Sequence, residues 1–541
     1  MAVVERSFEQ VDLSSDNLRL GDKPYLSVEK LRSLFKGSLV VVFIVVLAYL
    51  HAKGALTNPN PGNDDEGTYI SQAWALIAGT GAHHTIAAYT YWYDHPPFGW
   101  IQIGLWYWLV GGFHHGILGS FRYVREMTDI YFFIDLVLVY RIVGKLDFNY
   151  GSRLVTLLIF GLSPLAMSQL RIGFIDTLAL PWLLAAVALI LDRRLSLGKV
   201  SLAGLLFGFS VVTKETLILA IPLFIVALYQ YATSGAEAKS RLRRFRIAAF
   251  LVGLSIPGVV YLLYAILRGE LLPGPNHTSL IGAIEWQLFT RGGSGSILTA
   301  NSAARGSLVN WISNDWPLLA FGSISGLLGL KSRNIRPISA VVVLGTITLA
   351  KPGYLPNMFV IAYLPFLAIS IGGVISGVSR AAATGIERFA PQSGVRYLAS
   401  LLALLIGFSY FTIDSSSREA KLQALTTSFK VSPQVLVEKW IISHIPKDST
   451  MLVDDNYWLD LVQNGYQRSR IVWIYKLGRD IDVDRVYTKG WHQFQYIFLT
   501  SNTNAALATR PIPLSNFHTI AAFPTAGVTI LEINPSAYVA N

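Results

Sequence analysis

Residues 63–112 read NDDEGTYISQAWALIAGTGAHHTIAAYTYWYDHPPFGWIQIGLWYWLVGG. The stretch follows the first strongly apolar run, 37–52, and differs from everything around it. In a chain dominated by Val, Leu, Ile and Phe it gathers acids, histidines, tyrosines and tryptophans. Asp64, Asp65 and Glu66 follow a Pro61-Gly62 turn and precede a predicted helix over 68–78. Next comes Tyr91-Trp92-Tyr93-Asp94-His95-Pro96-Pro97, and then the apolar run Phe98–Val110, closed by Gly111-Gly112. Whether that last run crosses a bilayer decides the topology of all that follows.

Composition sets the frame. The chain has 541 residues, 52% hydrophobic and 14% charged, with a mean hydropathy of +0.45. Soluble globular proteins carry about 25% charged residues, so a polytopic α-helical membrane protein is expected. There is no cysteine, which excludes disulfides, thiolate nucleophiles and thiolate metal sites. The net charge of +11 sits in short loops between apolar runs. That is the positive-inside pattern of a membrane protein, and no nucleic-acid partner is expected. Residues 1–36 are polar and lack a cleavage site after an early apolar run, so they read as a cytoplasmic segment with the first span as anchor.

A spanning helix needs about 20 mostly apolar residues. Candidate spans are 37–52, 123–143, 153–171, 175–191, 197–213, 216–231, 247–267, 316–330, 337–350, 354–375 and 396–413, about eleven transmembrane helices. Alternate connections are rich in Lys and Arg, among them Arg141/Lys145/Arg153, the run 239–246 and Lys331/Arg333/Arg336. This places the N-terminus in the cytoplasm of a multi-pass plasma-membrane protein and the loop 53–122 outside. If Phe98–Val110 crossed, every later basic loop would change sides. Its length and its Trp100, Trp106, Tyr107 and Trp108 suit a helix lying in the interface.

Four further features then share the outer face: Arg171–Asp176 (RIGFID), Lys214-Glu215, the loop Arg268–Asp315, and Lys351-Pro-Gly-Tyr354. Within the loop, RGGSGS and NSAARGS are compositions suited to a mobile segment. The composition changes after Phe411. The expected organisation is a cytoplasmic segment 1–36, a transmembrane part 37–413, and a small extracytoplasmic α/β domain 414–541. In the last, Pro433–Ile445 is amphipathic, and β-rich runs are Thr450–Val453, Ile471–Tyr475, Tyr496–Thr500 and Val528–Ile533. Asp454, Asp455 and Asp460 read as a solvated strand end, their spacing fitting no metal-ligand motif.

Paired acids in an outward loop suit activation of an alcohol or amine for attack on a lipid-linked substrate. Were the donor a sugar on a polyprenyl phosphate, the leaving phosphate would depart without a proton. The site would then need one general base and positive charge to receive the phosphate. Asp65 can be that base. Arg125, Arg171, Lys214 and Lys351 stand near the outer ends of spans and can supply the charge.

The pattern Asp65-Glu66-x-x-Tyr69 after the first span, the later Pro96-Pro97, and Arg171-x-x-x-x-Asp176 opening a span resemble the GT-C glycosyltransferases. Within them the likeness is to the protein O-mannosyltransferase and aminoarabinose-transferase group, particularly its actinobacterial members. Motifs carry it over about 37–230 and topology to about 413; Tyr354-Leu-Pro-Asn-Met-Phe is also similar to a late span of that group. The resemblance implies a polyprenyl-phosphate-linked sugar as donor, an extracytoplasmic active site, inversion at the anomeric carbon, and a first-loop acid as base. By position it implies catalytic roles for Asp65 and Asp176. Asp64 and Glu66 remain candidates beside Asp65, which the spacing favours. Arg125 matches the arginine that opens the second span. Substrate contacts are expected from Tyr69, Tyr93, Asp94, His95, Arg125, Arg171, Lys214, Lys351 and Tyr354. His95 departs from the Lys-Pro of many aminoarabinose transferases, and a neutral imidazole is a weaker phosphate ligand.

Other readings compete. Acids at a helix start cap free N–H groups, and basic residues at span ends snorkel to headgroups. The pairs His83-His84 and His114-His115 read as surface histidines. Asp65, Glu66, His95 and Asp176 are candidate ligands for a divalent metal ion. Asp129 and Asp135 lie inside the second span, where pairing between helices is expected. Tyr89, Tyr91, Trp92 and Tyr93 suit either sugar stacking or interfacial anchoring. Three functions are therefore carried forward: a glycosyltransferase acting on an acceptor protein, glycan or lipid; a transporter or flippase for lipid-linked sugars; and a non-catalytic envelope protein. A transporter would want mid-membrane charge and repeated halves; only Asp135 speaks for it.

Overall fold

In the computed structural model ten of the eleven apolar segments fall on a helix or on a helix with its leading turn, and 153–171 is divided between two helices. The structure describes residues 28–57, 64–77, 93, 95–112, 119–192, 195–232, 239–274, 279–291, 293–350, 353–387, 394–427, 433–478, 481–507 and 512–539. Two compact units divide the chain at Phe43/Ile44; the described part of the first is the opening of helix α1.

In chain order the helices are α1 (Val28–Thr57), α2 (Asp64–Ile77), α3 (Phe98–Val110), α4 (Gly119–Lys145), α5 (Tyr150–Gly161), α6 (Pro164–Leu170), α7 (Ile175–Ile190), α8 (Leu197–Val211), α9 (Ile221–Ala232), α10 (Lys239–Leu267), α11 (Leu280–Glu285), α12 (Ala303–Gly329), α13 (Arg336–Ala350), α14 (Leu364–Glu387), α15 (Val395–Thr412) and α16 (Ser415–Thr426). By length and composition three helical segments suffice to cross a membrane: Leu34–Lys53, Arg241–Leu267 and Asn357–Ile386. The number rises to five if two bent pairs each make one span. One such pair corrects the single run expected over 153–171. Pro164 cannot continue α5, Ser163 caps α6 by accepting from the Ala166 amide at 3.1 Å, and the two helices meet at 57°. Helix α12 likewise begins well before the expected 316 and kinks at Asp315, two residues before Pro317.

The helices pack through small residues, as lipid-embedded helices do. A Cβ on Gly204 of α8 would stand 2.1 Å from the Phe250 carbonyl of α10, and one on Gly253 equally close to the Ser201 carbonyl. Outward faces stay apolar: Val252 and Val260 of α10 and Leu405 and Phe408 of α15 are exposed. Such faces suit a bilayer as solvent. Inside, Asp129 of α4 pairs with His51 of α1 at 2.6 Å, the interhelical partner expected for it. Asp135 does not follow that expectation: it is fully buried, and neither carboxylate oxygen has a hydrogen-bond partner among the described residues.

Helix α3 has 13 residues, about 20 Å at 1.5 Å per residue, short of a ~30 Å hydrocarbon core. Trp100, Ile103 and Tyr107 are buried, while Leu105, Trp108 and Leu109 remain exposed. Its amide Gln102 ties together helices α3, α4 and α7 and the turn that follows α8. Gln102 accepts from the Tyr131 hydroxyl (2.9 Å) and the Trp182 indole (2.8 Å), and donates to Thr213 (3.1 Å) and the Phe98 carbonyl (3.2 Å). Every polar atom of this buried amide is used, and Thr213 immediately precedes Lys214.

The C-terminal part adds α17 (Pro433–His444), α18 (Asp455–Gln463), α19 (Ile481–Val486) and α20 (Ser501–Leu507) around strands β1 (Met451–Val453), β2 (Ile471–Trp473), β3 (Tyr496–Leu499), β4 (Phe517–Phe523) and β5 (Val528–Ile533). The sheet order is β2-β1-β3-β5-β4. β1 runs parallel to β2 and β3, whereas β5 is antiparallel to β3 and β4. Four strands coincide with the β-rich runs; β4 was not expected. It is an edge strand whose register shifts between Thr519 and Ala521, so its side-chain alternation is broken in the sequence. Asp454, Asp455 and Asp460 also differ from the expected solvated strand end: all three are buried. Asp454 caps α18, accepting from the Asn456 amide at 3.0 Å and from Thr500 at 2.6 Å.

Candidate active site

Helix α2 carries the site, and its first turn starts earlier than expected: the acids are inside the helix. Successive residues turn by about 100°, so 65, 66, 67–68 and 69 meet different neighbours. Asp65 and Tyr69, four apart, share the face that lines a cavity of about 230 Å³. Glu66 turns the other way and is fully buried. It accepts from Arg125 of α4 in a two-pronged pair (2.9 and 3.1 Å) and from the Gly173 amide at 3.0 Å. Gly67 and Thr68 face α18.

The cavity joins Asp65 and Tyr69 with His95, Lys214, Glu215 and Tyr354, and with Arg291 and Gln287. Leu288, Met358 and Phe359 add apolar lining. Lys214 is buried, its ammonium 3.6 Å from Asp176 at the start of α7. Burial pulls the Lys214 pKa down, but Asp176, Glu215 and Asp65 outweigh it and raise the value. The ammonium therefore stays charged. Tyr69 is pushed well above the ordinary phenol range, first by burial and then by the carboxylates Asp65 and Asp176. It remains a neutral hydroxyl able to donate. His95 stands between two cavity groups, with Nδ1 3.2 Å from Glu215 and Nε2 3.4 Å from the Tyr69 hydroxyl.

Two charged cavity residues were missed as site residues. Glu215 was noted only as the neighbour of Lys214, because its partner His95 lies 120 positions away. Arg291 sits in the glycine-rich run expected to be mobile. There it stacks 3.6 Å over the Tyr354 ring and donates to Gln287 at 2.6 Å. The same run is tied to its neighbour, since the Ser294 amide donates to the Gly353 carbonyl (2.9 Å) and the Gly353 amide to the Gly295 carbonyl (3.2 Å). An arginine directly followed by two glycines was the available signal in the sequence.

Other expected site residues lie off the cavity. Arg171 is buried and donates to the Met167 (2.8 Å) and Leu425 (2.7 Å) carbonyls. Tyr93 donates to Glu270 at 2.6 Å. Asp64 opens α2. Asp94 and Lys351 lie outside the described residues, as do His83, His84, His114, His115, Tyr89, Tyr91 and Trp92. For a divalent ion, no three His, Asp or Glu side chains converge among the described residues. Of the four candidate ligands, Glu66 is engaged by Arg125 and Asp176 faces Lys214.

Burial acts against the Glu215 carboxylate, but His95 and then Lys214 outweigh it and hold its pKa at about 2, against an ordinary 4.5. A carboxylate depressed on folding contributes stability that is complete above its unfolded value and is lost as pH falls through the folded one. The melting-temperature gap between the native chain and Glu215→Gln should hold steady above about pH 5 and close progressively toward about pH 2. A gap independent of pH across that window would refute the pairing.

No protein-family model matches this sequence, and no curated protein sequence matches it significantly. Solved structures do match in fold. ArnT from Cupriavidus metallidurans bound to undecaprenyl phosphate aligns at 14% identity and a TM-score of 0.57, over 93% of this chain and 99% of that one. The Archaeoglobus fulgidus oligosaccharyltransferase in the apo form aligns at 14% identity and 0.55, over 88% and 72%. The archaeal oligosaccharyltransferase AglB of the same organism, in complex with an inhibitory peptide and a dolichol-phosphate, aligns at 12% and 0.55, over 94% and 75%. At such identity the likeness establishes the fold alone: this chain shares the architecture of those proteins along nearly its whole length.

Proposed function

We propose that this chain is a membrane glycosyltransferase that moves a sugar from a polyprenyl-phosphate carrier to an acceptor protein, glycan or lipid outside the cytoplasm. The observation that carries the reading is one cavity lined by Asp65, Lys214 and Arg291 together with the apolar Leu288, Met358 and Phe359. A phospho-sugar on a lipid tail asks for those three surfaces together: a base, cations, and grease. Asp65 takes the proton of the acceptor hydroxyl or amine. The acceptor atom bonds to the anomeric carbon as the carbon–oxygen bond to phosphate breaks, and the configuration inverts. Lys214 and Arg291 receive the charge that develops on the departing phosphate. Tyr69 and Glu215–His95 complete the polar wall. Residues 37–413 form the catalytic membrane part in this reading, with 414–541 an outward domain.

The solved relatives support the general kind of reaction, since one was captured with undecaprenyl phosphate and one with a dolichol-phosphate. The test is reconstitution of the purified chain in liposomes with synthetic polyprenyl-phosphate hexoses and pentoses plus envelope extract. Release of polyprenyl phosphate with an inverted linkage in the product is expected. Donor that crosses the bilayer intact, with none consumed, would overturn the reading in favour of a flippase.

A further inference from the structure

We infer that the C-terminal sheet positions the proposed base through helix α18, with Asp455 as the positioning residue for Asp65. Contacts at Gly67, Thr68 and Trp74 join α2 to that part of the chain. The Thr68 hydroxyl donates to the Asp455 carboxylate, and the Tyr475 hydroxyl lies 3.4 Å from the same Thr68 oxygen. Gly67 is pressed against α18, where an added Cβ would stand 2.7 Å from the Asn456 Cα. About two turns on, Trp74 meets Trp458 edge to face, with ring centroids 5.8 Å apart.

The far side of each contact is anchored in the sheet. Trp458 donates to the Ile471 carbonyl of β2 at 3.1 Å. Asp454, immediately before Asp455, accepts from Thr500 just beyond β3 at 2.6 Å. Thr68 and Asp455 are both buried, and neither lines the cavity. They therefore act on Asp65 through the helix, three residues away in sequence, and not on substrate. Glu66 and Arg125 hold the opposite side of the same turn. With the turn gripped on two sides, the Asp65 carboxylate is fixed toward the cavity, and small displacements of such a group are costly to turnover.

This inference rests on the role proposed for Asp65, and the experiment separates the two. In liposomes, below the melting transition, Asp455→Ala and Thr68→Val should each lower kcat at least about tenfold while the donor KM stays within about twofold. Thr68→Ser and Asp455→Asn keep a donor and an acceptor and should restore turnover. The double variant Thr68→Val/Asp455→Ala should be no worse than either single one. Amide hydrogen exchange over 68–72 should accelerate in both damaging variants. If the native chain transfers sugar and both single variants keep kcat, the positioning role is overturned and the function stands. If the native chain transfers nothing, the function fails. The exchange measurement then decides alone whether α18 holds α2, and unchanged protection overturns it. Should Asp455→Ala fail to fold, Thr68→Val carries the same comparison from the other partner.

Discussion

Asp65→Asn is expected to lower sugar transfer by about 10²–10⁴-fold, the usual worth of a general base, while the chain inserts, melts and binds donor as before. Asparagine keeps the shape and one acceptor oxygen but cannot take a proton at neutral pH. The side chain lies on the cavity wall with Lys214 and Tyr69. Its loss as an anion removes one of three carboxylates that hold the Lys214 charge, Asp176 and Glu215 remaining. Donor affinity should therefore change little, and the defect should fall on kcat. The matching Asp64→Asn variant, at the opening of the helix, should transfer normally. Normal transfer by Asp65→Asn, or loss in Asp64→Asn alone, would move the base to another residue.

Asp65 and Tyr69 were singled out through the Asp-Glu-x-x-Tyr pattern; that they share one face follows from helical periodicity only once α2 begins at Asp64 and not at the expected 68. The same rule could not tell what the other faces of that turn meet. Glu66 finds Arg125 across 59 positions and Thr68 finds Asp455 across 387. No periodicity in either segment reports such contacts. The apolar runs gave the helices, since hydrophobic length is read directly from sequence. Their breaks at Ser163-Pro164 and Asp315 needed the packed structure, where capping and burial of the freed backbone groups decide whether one run makes one helix. Charge misled in one place and informed in another. Asp454 and Asp455 looked solvated because acids usually are, yet hydroxyl and amide donors satisfy them inside. Arg171, Lys214 and Arg125 all looked alike as cations at span ends. Lys214 alone of the three lines the cavity, because Arg171 is spent on carbonyls and Arg125 on Glu66.

That last pair makes the second large prediction. Arg125→Met should destabilise the chain by about 3–5 kcal/mol, the cost of leaving a buried charge without its partner. Glu66 is wholly buried and Arg125 nearly so, and with the guanidinium gone the carboxylate keeps the single Gly173 amide. Leaving the charge in place costs more than removing it, so Glu66→Leu/Arg125→Met should recover most of the lost melting temperature. The rescue also tests which acid of the Asp65-Glu66 pair does chemistry. If Glu66 serves only to hold the turn, the double variant recovers transfer along with stability. If Glu66 takes the proton, the double variant melts like the native chain and stays inactive. The geometry favours the first outcome, because Glu66 points away from the cavity while Asp65, one residue earlier, points into it.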